Sequence, residues 1–379
     1  IISIFYFYKL IKNNKNYYSA LLGVILLSIN IYHIRYSIEL RSYTLTFLLT
    51  IILLNFVFYQ GKIREFKNFF SYFMIFIISF FMLFSHAFSI IVIISINFYI
   101  FLLWIIKKNY SKKNILLFLS TSISSLLFIL IYLNNISHTP YWIPEFKSSF
   151  FTNYYFSSFF GSRILGLLHL IILIYLITTQ FNKVIKKFDI ELFLIIFLLL
   201  TYMIPITYSF IFKPILIDRY IFFVLIPILY LISGLSCDLK NIYKKYTLIF
   251  LLVASNFLNH FSENTFKQFY TNIYTSKPEV RKSLEYIVKN NNLNYSFVLV
   301  ENNPHKINFI YENYLKKYSK KVDKNLMYFD YTNNSELPDN LWLIYITDIT
   351  DEKFIKPIEF KDYMIKSNKM FNHLELYQL

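Results

Sequence analysis

The stretch YSIELRSY, residues 36–43, places Glu39 and Arg41 between two long apolar segments. A carboxylate can position a hydroxyl or an amine or accept its proton, and a guanidinium presents a planar fork of N–H groups that matches phosphate oxygens. Charged groups are costly to hold beside apolar segments, so each of them is a candidate for function. This stretch therefore predicts a site that binds a polar headgroup.

A helical conformation of the same stretch predicts how its side chains are arranged. Arg35 and Glu39 lie four residues apart and are expected to pair, whereas Arg41 points elsewhere. Tyr36, Glu39 and Tyr43 share one face of the helix. The same residue types also fit an interfacial ion pair with a snorkelling arginine and interfacial tyrosines, so both interpretations stay open.

Two further stretches contain candidate residues of this kind. His86 lies in FSHAFS, a short connection in which a histidine either forms an interfacial hydrogen bond or contacts a ligand. In FKPILIDRYIFFVLIP, Lys213 and Arg219 are suited to bind a lipid phosphate. Snorkelling explains these two cations but does not explain Asp218 beside them.

The longest connection in the apolar part of the chain, residues 134–163, is rich in aromatic residues. Its candidates are Tyr141, Trp142, Phe150 and Phe151. They suit a re-entrant segment or an amphipathic segment that lies on a membrane surface, and aromatic rings of this kind also stack on sugars.

Apolar segments of membrane-spanning length must position these candidates. Of the 379 residues, 56% are hydrophobic and only 16% are charged. Apolar runs of about 17 to 21 residues match the thickness of a bilayer. The predicted spans are residues 17–32, 43–59, 69–85, 88–106, 115–133, 164–179, 190–207, 220–235 and 247–259. With the apolar start of the chain, the sequence predicts an α-helical polytopic membrane protein of about nine to ten spans.

The positive charges alternate from one connection to the next. The cation-rich connections hold Lys9, Lys12 and Lys15; Lys62, Arg64 and Lys67; Lys107, Lys108, Lys112 and Lys113; Lys183, Lys186 and Lys187; and Lys240, Lys244 and Lys245. Cytoplasmic connections retain such an excess, which places the candidate residues on the external side. The net charge of +16 is thus a topology signal, and nucleic-acid binding is a poor explanation for it.

The composition changes after residue 261. Residues 262–379 are mixed and charged, and their apolar runs predict a small external α/β domain behind the membrane domain of residues 1–261. The acidic residues Asp348, Asp351 and Glu352 fit a solvated turn better than a calcium loop. Cys237 is the only cysteine, which excludes an internal disulfide and a cysteine-based zinc site.

The order of these motifs resembles that of the protein O-mannosyltransferase-like membrane glycosyltransferases, a group that includes the lipid A aminoarabinose transferases. The resemblance covers residues 1–261. It rests on YSIELRSYTLTFLLTIILL, on FMLFSHAFSIIVII with its histidine, on the aromatic loop YWIPEF and on DRYIFFVLIPILYL.

This resemblance implies the GT-C membrane fold and sugar transfer from a polyprenyl-phosphate donor to a cell-envelope lipid, glycan or protein at the external face of a bacterial inner membrane. Arg41 and Arg219, with Lys213 as a third group, are then expected to bind the donor phosphate. Glu39 is expected to position the acceptor or Arg35, and His86 to lie near the cavity. No cofactor or metal ligand is assigned, and the need for a divalent metal stays open.

Members of this group commonly carry the catalytic carboxylate between their first two spans. We therefore expect the principal carboxylate to lie upstream of Ile1 and the chain to be a piece of a longer transferase. Two alternatives remain, a lipid or glycolipid flippase and a non-catalytic membrane scaffold. Transporters often contain inverted repeats and spans broken by glycine or proline at the midplane. With 5 glycines in all and with prolines mostly near span ends, the sequence predicts that this pattern is missing here.

Overall fold

The computed structural model describes residues 1–39, 41–64, 68–108, 110–134, 156–161, 163–261, 280–290, 297–301, 315–317, 327–328, 340–346, 366–371 and 374–379. The chain forms two compact units, Ile1–Ile273 and Tyr274–Leu379. Residues 262–279 lie outside the described residues. The predicted boundary after residue 261 lies at the start of this range, and the division after Ile273 lies within it. The predicted aromatic loop around Trp142 and the acidic turn around Asp351 also lie outside the described residues.

The first unit is built from α-helices. Its first half contains α1 (Ile2–Asn14), α2 (Tyr17–Ser28), α3 (Ile31–Ser37), α4 (Ser42–Val57), the hairpin strands β1 (Phe58–Tyr59) and β2 (Lys62–Ile63), and α5 (Phe69–Ser85). It continues with α6 (Ile90–Lys107), α7 (Lys112–Asn134), α8 (Phe156–Phe160), α9 (Arg163–Lys187), α10 (Ile190–Ile211), α11 (Leu225–Cys237) and α12 (Ile242–Phe261). Short 3-10 turns, Ala87–Ser89 and Asp218–Val224, precede α6 and α11.

Five helical segments of the described chain are long and apolar enough to cross a membrane. They are Ala87–Lys107, Lys112–Tyr132, Ile164–Lys187, Ile190–Ile211 and Asp218–Cys237. The bent pair α2 and α3 adds a sixth segment if it forms one span, while α4 and α5 are apolar but shorter. Helices occupy all nine predicted segments, yet only these five or six meet the requirement of length and composition. A polytopic membrane protein is compatible with this architecture.

Burial separates a central helix from peripheral ones. The segment Asp218–Cys237 is 94% buried by its neighbours, whereas Lys112–Tyr132 is only 22% buried. Large apolar side chains such as Leu126 and Leu130 are therefore exposed along α7. A continuous exposed apolar face is unfavourable in water but suits contact with lipid tails. Because its neighbours bury it almost completely, the helical segment that contains Asp218 and Arg219 lies at the centre of the unit.

A break interrupts the segment formed by α2 and α3. The two helices are bent by 63° at Ile29 and Asn30. Asn30 is buried and caps α3, because its Oδ1 accepts the N–H of His33 at 2.9 Å. The break contains neither glycine nor proline, so the glycine and proline pattern gave no signal for it; a buried asparagine whose side chain caps α3 marks it instead.

The long helices separate two ends of the unit that carry different kinds of side chain. A helix of 18 residues, such as α6, is about 27 Å long. Lys107 at its C-terminus is therefore far from His86, which precedes its first turn. We call the end that carries Lys62, Lys107 and Lys187 the basic end, and the end that carries Tyr43, His86 and Tyr220 the aromatic end.

The second unit contains a five-stranded mixed sheet. Its elements are α13 (Val280–Asn290), β3 (Phe297–Glu301), β4 (Met327–Tyr328), β5 (Leu341–Ile346), β6 (Ser367–Phe371) and β7 (Leu374–Gln378). The strand order is β4-β3-β5-β7-β6, with β3 parallel to β4 and β5 and with antiparallel pairing of β5 with β7 and of β7 with β6. The sequence predicts a helix at RKSLEYIVKNN and strands at SFVLVEN, NLMYFDY and NLWLIYIT, which correspond to α13, β3, β4 and β5. The helix predicted at KINFIYENYLKKYSKK lies mostly outside the described residues, and β6 and β7 are not predicted.

Candidate functional site

Aromatic side chains from three separate parts of the chain meet at the aromatic end. The ring centre of Tyr43 lies 5.3 Å from that of His86 and 6.2 Å from that of Tyr220. His86 and Tyr220 are 5.0 Å apart, and Tyr36 packs edge-on against Tyr43 at 5.8 Å. Phe88 contacts His86 and Tyr220. We call Tyr36, Tyr43, His86, Phe88 and Tyr220 the aromatic cluster.

Helix ends position each member of the cluster. Tyr36 lies in the last turn of α3, and Tyr43 lies in the first turn of α4. The helical spacing of the sequence predicts Tyr36 and Tyr43 on one face of a single helix. The two residues do meet, but across the turn between two helices. The central 3-10 turn Asp218–Val224 brings Tyr220 against them.

His86 occupies the turn between α5 and α6. Its extended backbone ends α5, and its Nδ1 accepts the N–H of Phe88 at 3.3 Å, which begins the next turn. Burial lowers the pKa of His86 to about 4, because a charged imidazolium would lose its hydration. At neutral pH the ring is therefore uncharged. In the cluster it acts as a hydrogen-bonding group and not as a cation.

Two arginines act on the cluster. The guanidinium carbon of Arg219 lies 6.0 Å from the ring centre of Tyr220. Arg219 also interacts electrostatically with Tyr36 and Tyr43. The hydroxyl group of Tyr220 interacts electrostatically with both Arg41 and Arg219. The structure thus brings Arg41, Arg219 and His86 to one end of the helices around Tyr220. Positive charge and hydroxyl groups together favour an anionic ligand.

Glu39 pairs with Arg41 in this arrangement. The Nε of Arg41 lies 3.6 Å from the Oε2 of Glu39, and the side chain of Arg41 is 48% exposed while that of Glu39 is 13% exposed. The expectation that Arg41 points away from Glu39 is wrong, because α3 ends at Ser37 and the turn that follows redirects the chain. Arg35 instead lies over the ring of Tyr36 at 5.8 Å.

Asp218 is a second carboxylate at this end. Its Oδ1 accepts the backbone N–H of Arg219 at 2.8 Å. It is also within electrostatic range of Tyr32, Arg35 and Tyr36. The sequence indicates Asp218 only as a companion of Arg219, and it gives no signal for the approach of Asp218 to Tyr32.

The remaining candidates have separate surroundings. Lys213 is exposed in the connection before the 3-10 turn, and its role as a third phosphate ligand stays a prediction. His86 also borders a cavity of about 360 Å³, together with Ser85, Phe128 and Tyr132. Within the described residues, no group of three or more His, Cys, Asp or Glu is arranged to hold a metal ion.

A second charged cluster, not anticipated from the sequence, lies at the basic end. Lys15 forms ion pairs with Glu191 and with Asp238, and Lys183 lies 2.9 Å from Asp238. Burial alone would lower the pKa of Lys15, but the two carboxylates more than offset it and the pKa is raised. Burial would raise the pKa of Asp238, yet its lysine partners lower it. Mutual pairing of these charges indicates a structural role.

No model of a known protein family matches this chain, and no curated protein is similar enough in sequence to match it. The site therefore has to be interpreted from its own geometry.

Proposed function

We propose that this chain is a membrane glycosyltransferase that moves a sugar from a polyprenyl-phosphate donor to an acceptor of the cell envelope. The observation that carries the proposal is the placement of Arg41 and Arg219 around Tyr220, next to an uncharged His86. Two guanidinium groups at one end of a membrane helix bundle suit the phosphate of a lipid carrier. The resemblance of the four sequence motifs adds the class of reaction.

In the proposed reaction an acceptor hydroxyl or amine attacks the anomeric carbon of the donor sugar. A new bond forms between that carbon and the acceptor, and the bond between the carbon and the lipid-phosphate oxygen breaks. The acceptor loses a proton to a base, and the polyprenyl phosphate leaves with the electron pair. Arg41 and Arg219 would offset the negative charge that develops on this phosphate, which lowers the barrier.

The carboxylates are assigned positioning roles. Glu39 pairs with Arg41, so it orients the guanidinium and partly neutralises it. Asp218 accepts the N–H of Arg219 and so stabilises the turn that presents Arg219 and Tyr220. The hydroxyls of Tyr43 and Tyr220 and the neutral ring of His86 would hydrogen-bond the sugar or the phosphate.

The break between α2 and α3 favours a second candidate, a lipid or glycolipid transporter, because transporters bind substrates at unwound helices. In this chain, however, the side chain of Asn30 at the break forms hydrogen bonds within the protein. The side chain of Asn30 caps α3 and donates a hydrogen bond at 3.0 Å to the carbonyl of Phe159. Such internal pairing suits a packing feature, so we retain the transferase as the first proposal.

The location we propose is a bacterial inner membrane, with the aromatic end and the second unit on the external side. The clustering of Lys62, Lys107 and Lys187 at the basic end supports this orientation, since cytoplasmic connections retain lysine and arginine.

Binding of a lipid phosphate tests the proposal directly. The purified full chain in detergent is titrated with undecaprenyl phosphate and with undecaprenol, which differ only in the phosphate, and bound lipid is measured by native mass spectrometry. We expect the wild type to prefer the phosphate form and Arg219→Gln to lose that preference by tenfold or more. Lys240→Gln, a charge-matched control at an exposed position before α12, should keep it.

Equal binding of the two lipids by the wild type, or an unchanged preference in Arg219→Gln, would remove the assignment of the phosphate site. Sugar transfer is then tested with a radiolabelled polyprenyl-phosphate sugar and envelope extract. Transport without transfer in proteoliposomes would favour the transporter.

A further inference from the structure

The basic end contains a cavity of about 740 Å³ whose described lining is strongly cationic. Three separate parts of the chain contribute its positive charges. They are Lys62 and Arg64 in and after β2; Lys107, Lys108, Lys112 and Lys113 from the end of α6 to the start of α7; and Lys187 at the end of α9. The described lining contains no Asp or Glu. We propose that this cavity is a binding site for the phosphate headgroup of an anionic membrane lipid, separate from the proposed donor site.

The retention of cations in cytoplasmic connections does not account for this arrangement. That tendency explains lysines on each connection, but it does not require three connections to converge on one space. Convergence of like charges is unfavourable unless an anion or a carboxylate offsets it. The carboxylate of Asp189 lies near Lys62 and Lys187, and burial together with nearby Glu191 raises its pKa. Asp189 is outside the described lining, so an anion bound within the cavity would offset the charges that converge there.

The backbone around the cavity is unusual as well. In the described part of the chain, three residues other than glycine have a positive φ, and all three lie in the connections that form the cavity. They are Gln60 at 52°, Lys108 at 48° and Phe188 at 50°. Left-handed conformations are uncommon for such residues and persist where surrounding contacts hold them. Here the hydroxyl of Tyr99 donates to the carbonyl of Phe188 at 2.5 Å.

Helix termini add to the attraction for an anion. The first turn of α7 faces the cavity with Lys112, Lys113 and Asn114, where backbone N–H groups carry a partial positive charge. These groups add to the lysine side chains, which provide the full charges.

The position of the cavity favours a lipid over a soluble anion. Trp104, one turn before the end of α6, stacks with Tyr110 at 6.5 Å and contacts Phe118 at 5.2 Å. Tryptophan and tyrosine concentrate at the level of lipid headgroups. Apolar side chains, Leu103 and Phe188, also line the cavity and can contact the glycerol and upper acyl chain. Basic pockets between membrane helices on the cytoplasmic side are suited to anionic headgroups.

Native mass spectrometry of the full chain in detergent tests the proposal. The protein is titrated with dioleoyl phosphatidylglycerol and with dioleoyl phosphatidylcholine, which have the same acyl chains but differ in net charge. We expect saturable binding of the anionic lipid, at least tenfold tighter than that of the zwitterionic lipid. Lys108→Gln combined with Lys112→Gln should remove most of this difference, and the corresponding arginine variants should keep it.

A matched control removes the same charge elsewhere at the basic end. Lys240 and Lys244 are exposed and do not line the cavity, so Lys240→Gln combined with Lys244→Gln should bind like the wild type. Equal losses in both double variants would mean non-specific attraction and would overturn the proposal. Unchanged binding in the Lys108 and Lys112 variant would overturn it too.

A soluble anion distinguishes the source of the phosphate. Inorganic pyrophosphate that competes with the anionic lipid would support a phosphate site within the cavity. Saturable pyrophosphate binding without any lipid preference would overturn the assignment to a lipid. Arg219→Gln should leave these results unchanged, so failure of this site and failure of the proposed donor site can be told apart.

Discussion

The Nζ of Lys15 lies 2.7 Å from the Oδ2 of Asp238, which connects the start of α2 to the end of α11. Lys15 also pairs with Glu191 at the start of α10, and Asp238 also accepts from Lys183 of α9. Four parts of the helical unit are therefore joined at the basic end by one network of charges.

Removing one partner of this network should destabilise the unit strongly. In Asp238→Asn, Lys15 remains largely buried beside Glu191 but loses one of its two carboxylates, so we expect a loss of about 2 to 4 kcal/mol in the free energy of unfolding. Lys183→Gln removes a partner that is 45% exposed and should cost less than about 1 kcal/mol. Denaturant unfolding in detergent measures the free energy of unfolding of both variants. Equal losses would contradict the difference in burial between Lys15 and Lys183.

The cap at the helix break predicts a second stability effect. Asn30→Asp keeps the acceptor for the N–H of His33 but loses the donor to the carbonyl of Phe159, whereas Asn30→Ala loses both. We expect Asn30→Ala to lower the free energy of unfolding by about 2 to 3 kcal/mol. Thermal unfolding followed by circular dichroism measures it. A change below about 0.5 kcal/mol would mean that water replaces these bonds.

The burial of His86 predicts a dependence of stability on pH. Its pKa falls from the ordinary value of 6.5 to about 4 in the folded chain. Between these values the unfolded chain binds a proton that the folded chain does not, so the stability contributed above pH 6.5 is lost as the pH falls towards 4. Over this pH range, the free energy of unfolding of His86→Gln should fall by about 1 to 3 kcal/mol less than that of the wild type. Parallel pH profiles for the two proteins would show that His86 titrates normally.

The ion pair between Glu39 and Arg41 predicts opposite effects of two substitutions on the binding of undecaprenyl phosphate. Glu39→Gln removes the charge that partly neutralises Arg41, so affinity for the phosphate should rise by about two- to fivefold. Arg41→Gln should lower it. A joint loss of binding in both variants would favour a purely structural pair.

The orientation of the chain predicts different labelling at its two ends. The described chain has one cysteine, Cys237, which is buried, so Cys237→Ser provides a background for single-cysteine labelling. In intact cells, an impermeant maleimide should not label Lys240→Cys but should label Met370→Cys, and both of these positions are exposed in the structure. The reverse pattern would show that the basic end faces outward and would contradict the proposed location.

The amino-acid sequence determined the features that depend on local patterns. Runs of apolar residues predicted where the helices lie, alternating lysines predicted which connections share one end, and apolar strands predicted β3 and β5. These features can be predicted from the sequence because helix periodicity, the length needed to cross a bilayer and the local charge all depend on residues that are close together in the chain. The strands β6 and β7 were not predicted, because SNKMF is mostly polar and the alternation in LELYQ extends over only five residues.

Only the tertiary structure decided which side chains meet. The sequence did not indicate that Tyr43, His86 and Tyr220 form one cluster, or that Lys15 reaches Asp238 and Glu191. Helix packing brings these groups together from distant parts of the chain, and a turn after Ser37, not helical spacing, selects Arg41 as a partner of Glu39. Local periodicity carries no information about such contacts, because they depend on how whole helices pack.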